Sequence, residues 1–140
     1  MPVPEHLWRF PTADAIANLA AILDVPNHPS MQDWEWEIAD SSRIDEYLAL
    51  YRSGGLTNDE RFTLMETIIQ AFDDLDDLAS DDRWPGILAL LDQNIDLHAY
   101  SVWYWADLED ELGDEGWQVT QDLRKLVDAH VPRLAPQDDR

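Results

Sequence analysis

Thr57 with Glu60 three residues later, followed by Leu64, Met65, Ile68, Ile69, Phe72 and Leu75, is the stretch that most narrows what this chain can become. The Thr-x-x-Glu spacing lets each side chain satisfy the other's backbone N–H at a helix start. The apolar positions behind it keep a 3.6-residue period over about four turns. A long amphipathic helix is therefore expected from Thr57 to about Leu75, and the other elements must cover its apolar side.

Weaker signals of the same kind place four more helices. Pro11-Thr12 opens the first, with Thr12 as N-cap and Ile16, Leu19, Ala20 and Leu23 behind it. Asp40 or Ser41 can cap another, in which Ile44, Tyr47, Leu48 and Tyr51 share a face and Gly54-Gly55 ends the run. Asp81 or Asp82 starts the next, with Pro85 tolerated in its first turn and Ile87, Leu88, Leu90 and Leu91 inside. Thr120 caps the last, which carries Leu123, Leu126 and Val127. Two segments read differently. Trp34-Glu35-Trp36-Glu37-Ile38 alternates apolar and acidic, the pattern of a half-buried strand, and His98 to Trp105 is rich in aromatic and β-branched residues. Pairing Trp34–Ile38 with Ala99–Trp105 would satisfy their backbone groups. The expected fold is mainly α within the α+β class: about five helices and a small two-stranded antiparallel sheet in one domain spanning residues 1–140. Residues 1–4 and 135–140 are expected to be loose ends.

The 140 residues carry thirty carboxylates against nine basic side chains, a formal charge of −21. Residues 33–116 hold twenty-three of the acids and four of the bases, so the charge is regional and not a uniform coat. Such a chain repels nucleic-acid phosphates and anionic lipid, which argues against direct binding to either. At 45% hydrophobic, with seven Trp, it has material for a core, which argues against disorder. The absence of cysteine excludes disulfides, thiolate metal sites and a cysteine nucleophile. Neither a basic N-terminus followed by an apolar stretch nor a run of ~20 apolar residues is present. The expected compartment is the cytoplasm.

Motifs for catalysis are missing. Asp92-Gln93-Asn94-Ile95-Asp96 opens like a calcium loop but continues with Leu97 where glycine is needed and Trp103 where a bidentate acid is needed. His6, His28, His98 and His130 are dispersed; His98 two residues after Asp96 reads as a strand histidine near a turn. No nucleophile elbow, P-loop or dinucleotide fingerprint occurs. Lys125, the single lysine, reads as a solvated charge on the last helix. The chain is expected not to be an enzyme and to need no cofactor or metal.

The acidic clusters carry the functional expectation. Asp73, Asp74, Asp76 and Asp77 crowd the end of the long helix, where the helix dipole disfavours them, and Asp81 and Asp82 follow. A second group comprises Asp107, Glu109, Asp110, Glu111, Asp114 and Glu115. Neither group contains a base. Trp34, Trp36, Trp103 and Trp105 could stand beside these carboxylates as aromatic anchors, receiving Arg or Lys by stacking and ion pairing together; a Trp-rich core is the plainer reading. In size, charge and lack of catalytic motif the chain resembles small acidic bacterial immunity proteins that neutralise a cognate toxin. The likeness is compositional and rests on Asp33-Trp-Glu-Trp-Glu37, the Asp73–Asp82 run and the Trp103–Glu115 segment. It implies a stoichiometric inhibitor, monomeric or weakly dimeric, whose acidic face occupies the basic cleft of a toxin or nuclease. Two other readings use the same carboxylates: a nucleic-acid mimic that blocks a DNA-processing or defence protein, and a divalent-metal protein or enzyme with His98 among its ligands.

Overall fold

The computed structural model describes residues 3–108 and 117–134, the Arg133 side chain excepted. Among them are seven α-helices and no strand. The chain falls into two compact units, one of residues 10–76 and the other of the residues up to Arg9 together with those from Asp77 onward.

In the first unit, α4 (Asn58–Asp73) is the centre. Its capping box forms as the spacing demands: Glu60 N donates to Thr57 Oγ1 at 3.1 Å and Thr57 N to Glu60 Oε1 at 2.8 Å. Every residue from Phe62 to Ile69 is buried, followed by Ala71 and Phe72. A helix buried on all sides needs neighbours around it, and α1 (Ala13–Leu23), α2 (Trp34–Glu37) and α3 (Ile44–Arg52) each pack against α4. Thr12 caps α1 by accepting from Ala15 N at 3.1 Å. Asp40 caps the 3₁₀ turn Ser41–Arg43 that leads into α3, whose buried face is Ile44, Tyr47, Leu48 and Tyr51. The chain leaves α3 through Gly54 at φ +80°, a left-handed conformation that glycine adopts without Cβ strain.

The segment expected as the first strand is α2. Glu37 N donates to Asp33 O and Ile38 N to Trp34 O, so the turn satisfies its own backbone groups and needs no partner strand. Five alternating residues are too few to separate a period of 2 from one helical turn. Side-chain anchors favour the turn: Trp34 Nε1 donates to Pro26 O at 2.7 Å, and Thr67 Oγ1 on α4 donates to Glu35 O at 2.7 Å.

The second unit contains α5 (Trp84–Gln93), α6 (Ile95–Ala106) and α7 (Thr120–Leu134), which pack on one another. Pro85 lies in the first turn of α5, as expected. Asp81 binds Arg83 and does not cap the helix, since its carboxylate accepts from Arg83 N at 2.8 Å and from the guanidinium at 3.0 and 2.6 Å. The segment expected as the second strand is α6. Aromatic and β-branched residues favour strands only weakly, and packing overrides that preference. Eight of the twelve α6 residues are buried, and the helix satisfies its backbone internally. With α2 and α6 helical and in different units, the two-stranded sheet does not exist, and the described fold is all-helical. Thr120, expected as a cap, is the first residue of α7, and its hydroxyl donates to Trp105 O at 2.9 Å. Of the expected loose ends, residues 1–2 and 135–140 lie outside the described residues; Val3 O accepts from Trp8 Nε1 at 3.0 Å.

Candidate partner-binding surface

The first acidic run straddles the two units. Asp73 ends α4, Asp74 is its C-cap and Asp76 follows; Asp77, Asp81 and Asp82 belong to the second unit. The dipole penalty argued from the sequence thus falls on Asp73 and Asp74, because Asp76 and Asp77 lie beyond the helix. Part of the local cost is met by donors. Asp74 Oδ1 accepts from Gln70 Nε2 at 2.9 Å, and Asp77 Oδ2 from Ser80 Oγ at 2.6 Å. The hydrogen bonds from the Arg83 side chain hold the Asp81 carboxyl below its ordinary range. Asp74, Asp76, Asp77 and Asp82 are exposed, while Asp73 and Asp81 are partly covered.

In the second acidic group, Asp107 closes α6 in the left-handed region at φ 48°. Arg124 on α7 donates to the carbonyls of Ala106 and Asp107, placing a cation on the negative end of α6. Glu109, Asp110, Glu111, Asp114 and Glu115 lie outside the described residues.

The four tryptophans separate. Trp34, Trp103 and Trp105 retain 2%, 3% and 1% of their exposure and are core residues; Trp36 is half-buried. The strand geometry that put Trp34 beside Trp36, and Trp103 beside Trp105, is replaced by helical geometry, in which residues two apart diverge. The surface aromatics are others. Tyr100, Tyr104 and Trp117 are half-buried, while Trp8 and Phe10 are exposed. Tyr100 and Tyr104 stand four apart, a spacing that marks one helix face once α6 is read as a helix. His98 is fully buried in α6.

Buried acids also escaped the sequence reading. Glu60 is accounted for by its capping box and by Asn18 Nδ2, which donates to it at 3.0 Å; the Thr57 backbone bond is the main reason its carboxyl is held low. Glu35 is 7% exposed, and its carboxyl is pushed above the ordinary range by desolvation first, with the Asp33 and Glu37 charges adding to the rise. Among the described residues no group of three or more His, Asp or Glu side chains is arranged to hold a metal ion, and no helix is long and apolar enough to cross a membrane. Comparison of the chain with protein-family models, with curated proteins and with solved structures found no match.

Proposed function

We propose that this chain is a non-catalytic, acidic protein-binding domain of the immunity or inhibitor type, occluding the basic active or substrate-binding cleft of a cognate toxin or nuclease. The observation that carries the reading is the way its few cations are spent. Arg43 reaches Leu23 O and Glu46, Arg83 grips Asp81, and Arg124 caps α6. Each of these three arginines is held by a group of its own unit, while Asp74, Asp76, Asp77 and Asp82 stand exposed. By sequence, residues 10–76 hold fourteen acids against three arginines. Such a surface accelerates encounter with a basic protein and rejects acidic ones.

The test has two stages. Tagged protein captures partners from lysate at low salt, and the captured protein is purified and assayed for its own activity with one equivalent of this chain. The reading expects inhibition at a one-to-one ratio that Asp74→Lys, Asp76→Lys, Asp77→Lys and Asp82→Lys together abolish. Binding indifferent to that charge reversal would overturn it.

A further inference from the structure

Two polar contacts fasten α7 to α5, one at each end of their shared length. Near the start of both helices Trp84 Nε1 donates to Asp122 Oδ2 at 2.9 Å. Near their ends His130 Nε2 lies 2.7 Å from Asp92 Oδ1. Eight residues separate Trp84 from Asp92 on α5, and eight separate Asp122 from His130 on α7. That spacing is about 12 Å along each axis, so the two helices run parallel. Between the contacts lie the buried Ile87 and Leu91 of α5 and the buried Leu123 and Val127 of α7.

The contacts differ in kind. The indole N–H of Trp84 is a permanent donor, whereas the imidazole of His130 is charged only when protonated. The charged form meets Asp92 as an ion pair and stands near the negative C-terminal end of α7. That end is weakly held from within, because Pro132 has no N–H to offer the carbonyl of Asp128. Asp92 is the one charged residue of α5 by sequence. On α6 the titratable residues ahead of its aromatic end are Asp96 and the fully buried His98. On α7 itself Asp122 serves Trp84 and lies beside Lys125, Arg124 is bound to the carbonyls of Ala106 and Asp107, and Asp128 and Arg133 complete the charged set by sequence.

We infer that the His130–Asp92 contact is a proton-controlled catch on the last turn of α7. With a proton on the imidazole the contact is an ion pair and a hydrogen bond at once. Without it a neutral hydrogen bond is all that remains, and the turn carrying the buried Leu134 is free to open more often. The contribution of an ion pair made by histidine is present on the acid side of its titration and is lost as pH rises through it.

Amide hydrogen exchange is followed by NMR on the full chain and on Asp92→Asn from about pH 5 to about pH 8, the interval in which histidine ordinarily changes charge. The variant-to-parent ratio at each pH cancels the intrinsic pH dependence of exchange and the titration of His98, which both proteins share. At the acid end Leu134 should exchange about two- to five-fold faster in the variant, the range a partly exposed ion pair supports. The ratio should fall toward one at the alkaline end. Leu123 and Val127 should keep a ratio of one throughout, since the Trp84–Asp122 contact is untouched. His130→Gln, which keeps a donor without the charge, should give the same pattern. A Leu134 ratio that does not change with pH overturns the inference, as does equal acceleration along the whole of α7. The His130 ring signals, read on the unaltered protein, should move over the same pH interval as the Leu134 ratio; a different interval overturns the inference without relying on any variant.

Discussion

Thr67, in the buried interior of α4, donates its hydroxyl hydrogen bond to the carbonyl oxygen of Glu35 at 2.7 Å, crossing thirty-two residues of sequence. A threonine inside a helix commonly turns its hydroxyl to the carbonyl four residues back, as Thr63 does to Asp59 O at 2.8 Å. Thr67 instead serves the neighbouring element. Thr67→Val keeps the shape and leaves a buried carbonyl without its donor, so a loss of about 1–3 kcal/mol is expected. Urea unfolding of the two proteins checks this; an unchanged midpoint would show that α2 does not need the bond.

Glu35 itself should make stability depend on pH in the direction opposite to Glu60, Asp40 and Asp81. Burial raises its carboxyl above the ordinary 4.5, so the folded state prefers the protonated form. The contribution of such a group is fully present below that value and is lost as pH rises through the raised one. Glu60, Asp40 and Asp81 are held low by hydrogen bonds and behave in reverse, stabilising above their ordinary values and less as pH falls. Glu35→Gln should therefore raise the melting temperature at neutral pH, with a gain that shrinks as the pH falls from the raised value toward 4.5. A variant melting below the parent at neutral pH would mean that the carboxylate has a stabilising partner.

The elements readable from sequence are those whose ends are set locally. Thr12, Asp40 and the Thr57–Glu60 pair cap through their own side chains within three residues, and Gly54 supplies a backbone conformation few other residues adopt. Where the reading failed, the deciding contact was distant. Nothing in Trp34 to Glu37 records that Thr67 and Pro26 will hold it as a turn. In α6, burial on most sides erases the alternation of apolar and polar residues that marks a helix, leaving an aromatic composition that reads as a strand. The candidate site divides on the same line. Exposed acids follow from charge alone, whereas the burial of Trp34, Trp103, Trp105 and Glu35 depends on which helices close over them.

Tryptophan variants should sort by that burial. Trp105 is in the core and lies against Trp117 with the rings tilted by 54°, so Trp105→Ala should cost about 3–5 kcal/mol. Trp8 is 54% exposed and donates a hydrogen bond to Val3 O, so Trp8→Ala should change stability by no more than about 1 kcal/mol. Chemical denaturation followed by circular dichroism measures both without relying on tryptophan fluorescence. Similar costs for the two would contradict their different surroundings.

Added salt should stabilise the protein. By sequence, residues 10–76 carry a net charge of −11 and the remaining residues −10, so like-charge repulsion is not confined to one half of the chain. At physiological ionic strength the screening length is about 8 Å, short enough to weaken repulsion between exposed carboxylates. The arginine bonds that matter to folding run to carbonyls at helix ends or to a partner two or three residues away, as with Arg43, Arg83 and Arg124. Such short contacts are screened less than the long-range repulsion, so the balance shifts toward the folded state. The melting temperature should rise from low to moderate sodium chloride. A fall in melting temperature would show that exposed ion pairs hold the fold, and that the acidic surface is not the source of net repulsion.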